Sequence, residues 1–291
     1  MKRIRNGFTL IELLVVIGII ALLLSISVPA LNVARKRARE VANKASLNSM
    51  ATALESFNND HGSYPSSRFR NAIAVGNFNG GVGNGIDTGA HILVESMMGL
   101  DFIGYQKEHW YHVDDGSGNY PAGTPLDLNN SETRRWGPYV DPEKVELGKM
   151  ADVHPGSIES DLIDNTNSVF IDSINAGEEK AILYYRARSN ARLLYDSTDS
   201  DNGTIYRYGD NQLITQDTAP GAGPGDKFHP QLDEHNKFYR FIWDDRTGID
   251  ATGNPVVTSF NARPYNQDSF ILINAGIDGQ YGTEDDITNF N

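Results

Sequence analysis

The run from Leu10 to Ala30 constrains this chain more than any other feature, because it is almost wholly aliphatic and carries a single charge, Glu12. A helix needs about 20 apolar residues to cross a hydrocarbon core of roughly 30 Å, and this run meets that length. Lys2, Arg3 and Arg5 precede Gly7 with no acid among them, which by the positive-inside bias keeps that end in the cytoplasm. The predicted arrangement is a single pass through the inner (cytoplasmic) membrane, with the C-terminal domain periplasmic or extracellular. Three fates fit such a segment: a cleaved secretory signal with Val28-Pro29-Ala30 as its site, a plain anchor, or a processed leader followed by a helix. Glu12 and the unbroken helical pattern beyond it count against the first.

The remaining chain is of another character. It is rich in Gly, Asn and Asp, and the 291 residues as a whole carry a formal charge of -13. Nucleic acid is therefore excluded as a partner of the main body, since binding it wants a basic stripe that displaces counterions. There is no cysteine, so an exported domain of this kind has no disulfide and relies on core, hydrogen bonds or metal.

Pro29 lacks an amide hydrogen, and a helix running through it should kink there; the membrane helix ending at Pro29 is the other reading. Past it, Leu31, Ala34, Ala38, Val41, Ala45, Leu47, Met50, Ala51, Leu54 and Phe57 recur at spacings of mostly three and four, which predicts an amphipathic helix laid on a core. Arg35, Lys36, Arg37 and Arg39 read as a solvated face near lipid headgroups or as a subunit contact. The turn residues of Asn58–Tyr64, followed by Pro65, should stop the helix. The Gly- and Asn-rich stretch 66–89 reads as irregular, His91–Leu100 as a short helix, and 134–147 as an aromatic turn with a brief helix or extended segment. Strands are predicted at Ser168–Asp172, Ala181–Arg188, Lys237–Trp243 and Ser269–Asn274, each short and rich in β-branched or aromatic residues.

The N-terminus, "KRIRNGFTLIELLVVIGIIALL", resembles that of type IV prepilins and pseudopilins: a short basic leader, Gly7, then Phe8-Thr9-Leu10-Ile11-Glu12 and an aliphatic run. The resemblance implies cleavage by a prepilin peptidase between Gly7 and Phe8 and N-methylation of the new Phe8 amine. A carboxylate at membrane depth is costly unless paired, so Glu12 should have a nameable partner. In this family the partner proposed is the Phe8 ammonium of a neighbouring subunit, which fixes axial register during assembly. Phe8 and Glu12 sit four residues apart, so a pair within one helix is also possible, and the competing reading is that Glu12 snorkels to the headgroups. The turn Asp60-His61-Gly62-Ser63-Tyr64-Pro65 is similar to one in the major, G-type pseudopilin of type II secretion.

The fold class implied is α+β and pilin-like: a long N-terminal helix, half transmembrane and half amphipathic, on a small antiparallel sheet with large loop insertions. The implied organisation is a leader at 1–7, a transmembrane segment at 8–30, an amphipathic continuation at 31–60 and a globular domain at 61–291. Insertions are inferred between Ser66 and Asn167 and between Asp196 and His235.

The ending "ILINAGIDGQYGTEDDITNFN" resembles the calcium-binding end of G-type pseudopilins. Calcium takes six to eight oxygens in flexible geometry, and the resemblance assigns Asp278, with Glu284, Asp285 and Asp286 as the further acids from which the remaining ligands would come. A solvated acidic turn is the competing reading. Asp196, Asp199 and Asp201 miss the spacing of an EF-hand, because Gly203 falls one position early, and read as a loop. His109 and His112 lack a third ligand nearby. No nucleophile elbow, P-loop or dinucleotide fingerprint is present, so the chain is not expected to be an enzyme. The expected role is a structural subunit of a type II secretion pseudopilus, with a type IV pilus subunit or an anchored binding protein as alternatives. The implied partners are prepilin peptidase, copies of itself and other pseudopilins, an inner-membrane assembly platform and membrane lipid.

Overall fold

A computed structural model of the chain describes residues 10–68, 70–73, 82–99, 102, 104–106, 135–153, 168–172, 179–195, 203–216, 231–250, 254, 256–257 and 260–290. The chain divides into two compact units, Met1–Ala42 and Asn43–Asn291. Helix α1, Leu10–His61, has 52 residues and contains Pro29 in its interior. The helix does not end at the proline, although the missing N–H removes one rung of its ladder. In the first unit the aliphatic side chains stand exposed, from Leu10 at 79% to Leu31 at 50%, and the apolar window of the helix has no burial at all. Ser25 turns its hydroxyl back onto the Leu22 carbonyl at 2.7 Å, so that polar group is satisfied inside the apolar run.

In the second unit the same helix becomes a core element. Asn43, Leu47, Met50, Ala53, Leu54 and Phe57 are buried, at helical spacing. Leu31, Val41 and Ala45 are exposed, so the predicted amphipathic stripe packs on a core only from its second half. The physical reason is simple: alanines and isolated aliphatics between charged neighbours offer too little area to hold a core against them. The helix stops as expected, with Gly62 at φ 76° and its N–H donating to the Asn58 carbonyl at 2.8 Å. That positive φ is a backbone state that glycine adopts without a Cβ clash.

The rest of the unit is a string of short elements. A hairpin of β1 (Arg70–Ile73) and β2 (Val82–Asp87) leads into α2 (Gly89–Met98). Strands β3 (Tyr105–Gln106) and β4 (Arg135–Trp136) pair next. They are followed by β5 (Leu147–Lys149), the single turn α3 (Met150–Val153) and β6 (Ser168–Phe170). After β7 (Leu183–Arg186) come the turn α4 (Gln212–Thr215), helix α5 (His235–Phe241), and β8 (Trp243–Asp244) paired with β9 (Arg263–Pro264). β10 (Phe270–Asn274) and β11 (Ile287–Thr288) close the chain.

The central sheet has the order β11-β10-β7 and is antiparallel throughout, with Phe270 opposite Arg186 and Ile273 opposite Leu183. Period-two alternation sends its side chains into two cores. Ile182, Tyr184, Phe270 and Leu272 pack with Leu47, Met50, Leu54 and Phe57 of α1 and with Leu93 and Met97 of α2. Ala181, Leu183, Tyr185, Ile271 and Ile273 pack on the other side with Phe238, Tyr239 and Ile242. Both faces are covered, which explains the continuous apolar run "FILIN". The architecture is α+β and pilin-like, a long apolar N-terminal helix followed by small antiparallel sheets.

Two expectations are corrected. Within 66–89, read as irregular, β1 and β2 pair antiparallel with Arg70 opposite Asp87, because Gly and Asn bring backbone N–H and C=O groups to a ladder like any other residue. The stretch Lys237–Trp243 is mostly helix α5, not a strand. Leu232, His235, Phe238, Tyr239 and Ile242 are buried while Glu234, Asn236 and Arg240 are exposed, a spacing of three and four that only a helix provides. The predicted strand at Ser168–Asp172 forms as β6; it pairs with β5, and its end is bridged antiparallel through Ile171 to Ala181, just ahead of β7. The short helix expected at His91–Leu100 is α2, displaced two residues toward the N-terminus. Thr88 starts it in a capping box, its N–H donating to Nδ1 of His91 at 3.1 Å.

Candidate functional site

The feature with the greatest capacity for interaction is the exposed aliphatic surface of α1. A contiguous apolar patch of this extent marks a membrane or protein contact, since single soluble chains do not leave so much of it in water. Glu12 lies in the first turn of the helix, where the macrodipole favours an acid. Gly7 and Phe8 lie outside the described residues, so the bond to be cleaved and the amine to be paired are not part of the geometry. Arg35, Lys36, Arg37 and Arg39 all lie exposed on the same helix, consistent with a solvated face.

Where α1 ends, the turn Asp60–Pro65 is tied into the domain from several sides. Tyr139 donates its hydroxyl to Asp60 Oδ2 at 2.8 Å, and His61 Nε2 lies 3.1 Å from the same hydroxyl. Phe57 meets Tyr105 and Tyr139 edge-on at 5.3 and 5.4 Å. Tyr64 donates to both oxygens of Glu55 at 3.0 Å, and burial together with that carboxylate pushes the phenol up to about 12. Tyr184 in β7 donates to the Pro65 carbonyl at 2.7 Å. These bonds fix the direction in which the chain leaves the helix.

The C-terminal acids are held mainly by backbone. Asp285 Oδ2 accepts from the N–H of Ile277 at 2.7 Å and of Asp278 at 3.1 Å, while Thr283 Oγ1 donates to Oδ1 at 2.7 Å. Partial burial opposes ionisation there, yet those donors keep the carboxyl below the usual carboxylate range. Asp278 Oδ1 accepts from Gln280 N at 2.8 Å. Asp286 Oδ2 accepts from Gly282 N at 2.7 Å; burial, with the charge of Asp278 adding to it, pushes Asp286 up to about 7. Glu284 is exposed at the tip of the turn.

Among the described residues, no three acidic or histidine side chains lie together in a way that could hold a metal ion. The donor set fits calcium in part: Asp285 serves as a cap on the turn with both oxygens engaged, whereas Asp278 and Asp286 repel each other in a way that a cation would relieve. His109, His112, Asp196, Asp199 and Asp201 lie outside the described residues. A cavity bordered by Arg68, Arg186, Arg188 and Arg207 was not legible beforehand, because those residues are scattered along the chain and share no spacing.

Residues 2–28 match the family described as Prokaryotic N-terminal methylation motif. Over 63 residues the chain is 46% identical to the Type IV wide pilus major component PilA4 of Thermus thermophilus, covering 22% of this chain and 48% of that protein. Over 140 residues it is 26% identical to a Fimbrial protein of Neisseria meningitidis, covering 46% of this chain and 81% of that protein. The chain thus spans about half the length of the first relative. No solved structure matches it.

Proposed function

We propose, from the premise that this chain is a type IV pilin-like protein, that it works as a non-enzymatic structural subunit of a pilus or pseudopilus. The observation that carries this is the methylation motif on a helix whose N-terminal aliphatic stretch, Leu10 to Leu31, is uncovered in the single chain. In that reading prepilin peptidase cleaves between Gly7 and Phe8 while the helix sits in the cytoplasmic membrane, N-terminus inside and domain outside. The Phe8 amine is methylated, and subunits leave the bilayer for the filament on an assembly platform. Close packing of the Leu10–Ala30 segments, bent at Pro29, supplies the cohesion. Glu12 sets the register against the Phe8 ammonium of the neighbouring copy.

The finer assignment is a type II secretion pseudopilus, supported by the Asp60–Pro65 turn and the acidic C-terminus. A type IV pilus subunit is the second reading, favoured by the names of both relatives. Calcium is proposed as a structural ion of the C-terminal loop, held by Asp278 and Asp286 with neighbouring carbonyls. Glu12→Val in the native host tests the core of the proposal. The expected result is normal processing, seen in the mass of the N-terminal peptide, with loss of incorporation into sheared filaments. Unchanged incorporation would refute the register role. Deletion of the gene then separates the two finer readings, since a pseudopilus subunit is needed for export of enzymes and a pilus subunit for surface fibres.

A further inference from the structure

A cavity of about 520 Å³ opens in the second unit where three segments meet: the stretch following α1, the end of β7 with the turn after it, and the 3-10 turn Tyr208–Asp210. Among the described residues four arginines border it, Arg68, Arg186, Arg188 and Arg207, against one carboxylate, Asp210, and the rest of that lining is serine and asparagine. Guanidinium groups stay charged at any pH a protein survives. The cavity is therefore a local concentration of positive charge in a chain whose formal charge is -13.

Its wall is held in place. Asp210, 3% exposed, accepts from the Ser67 hydroxyl, and Ser67 Oγ accepts the backbone N–H of Arg186 at 3.0 Å. Arg188 donates through Nη2 to the carbonyl of Thr204 and to its Oγ1, the latter at 3.0 Å, and its backbone N–H donates to the Ile205 carbonyl at 3.0 Å. Arg186 and Arg188 thus project from backbone that is already tied down.

Three properties narrow the ligand. Planar guanidinium forks match phosphate, sulfate and carboxylate oxygens. The volume falls in the range of roughly 300–1,000 Å³ that takes a small organic molecule, well above a lone oxyanion. Among the described residues no aromatic or aliphatic side chain lines the space, so they offer neither a platform on which a nucleobase could stack nor a slot for an acyl chain. Hydroxyl and amide groups between the arginines suit a polyhydroxylated body. The geometry points to a binding site for a saccharide bearing phosphate or sulfate groups. Such a ligand could be a free phosphorylated sugar or the end of an anionic surface glycan, and this binding role is additional to filament assembly.

The test uses the full chain in detergent micelles and titration calorimetry. Glucose 1,6-bisphosphate stands for the free sugar and a sulfated heparin tetrasaccharide for the glycan. Glucose, inorganic phosphate and the peptide "GTEDDIT" of this chain serve as controls. The expected result is saturable one-to-one binding of at least one charged sugar, no signal from glucose, and at least tenfold weaker binding in Arg207→Gln and in Arg68→Gln with melting temperature unchanged. Which sugar binds identifies the source. The inference is overturned if neither charged sugar binds the folded chain, if both variants bind like the parent, if inorganic phosphate binds as tightly as the sugars, or if only the acidic peptide binds, which would make the cavity a contact between copies.

Discussion

Asp172→Asn should stabilise the domain at neutral pH and do nothing of the kind in acid. Asp172 is 2% exposed; Oδ1 accepts the Lys180 N–H at 3.2 Å, and Oδ2 is buried with no hydrogen-bond partner among the described residues. Burial pushes its carboxyl from the ordinary 3.8 to about 6; the Lys180 amide bond and charge pull it back in part, while Glu179 and Glu146 push it further. Tyr281, fully buried, feels the same carboxylate. Because the folded state holds the proton more tightly than the unfolded chain, stability falls as pH rises from about 4 through about 6 and levels off above that. At ~1.36 kcal/mol per pH unit the difference amounts to about 3 kcal/mol. For a large domain that corresponds to roughly 6–12 °C in melting temperature. Asn keeps the acceptor and cannot ionise; any cost of placing its amide, about 1 kcal/mol, is independent of pH. Melting of parent and variant in micelles, followed by near-ultraviolet circular dichroism at intervals from pH 4 to pH 8, gives the difference directly. The variant's relative stability should rise across pH 4–6 and then hold. A difference that is flat with pH would show that folding leaves the Asp172 carboxyl unshifted, and one that turns against the variant as pH rises that it is ionised and paired in the fold; either would refute the reasoning.

Phe57→Ala removes a ring that is 1% exposed and touches Tyr105 and Tyr139; a loss of about 3–5 kcal/mol in urea unfolding is expected, and a loss under ~1 kcal/mol would mean that the α1 end is not part of the core. Gly276→Ala places a Cβ onto the Asp285 carbonyl at a residue whose φ is 63°; a cost of about 2 kcal/mol or more is expected, seen as a lower melting temperature and faster amide exchange in β11. Calcium at a hundredfold excess over its dissociation constant should add about 2.7 kcal/mol, with the gain abolished by chelator and absent in Asp278→Asn; equal melting in calcium and chelator would remove the ion from the proposal.

What was legible in the sequence followed from features that admit one physical solution. A long aliphatic run at this hydropathy is a helix even with Pro29 inside it, and Gly62 before Tyr64-Pro65 stops one. "LYYR" and "FILIN" became paired strands because their runs of apolar and aromatic side chains, with isoleucines in the second, can be buried on both faces of a central sheet. The segment Lys237–Trp243 had the same composition yet folded as a helix, since Phe238, Tyr239 and Ile242 satisfy a three-and-four spacing as well as an extended one. There the choice was made outside the segment, by the face of β7 and β10 on which those residues pack. At the C-terminus the acids were visible, but their division of labour was not. Asp285 caps backbone N–H groups and Asp286 is the half-buried one with the raised carboxyl, a difference set by which way a single-residue step turns each side chain. The basic cavity lies beyond any reading of spacing, because Ser67, Arg186 and Arg207 are brought together by the end of α1 meeting the edge of β7. Local pattern thus dictates elements where only one packing buries the apolar residues. Sites assembled from distant segments depend on the order in which those elements stack, and that order is what the Leu47–Phe57 face of α1 imposes by claiming one side of the sheet.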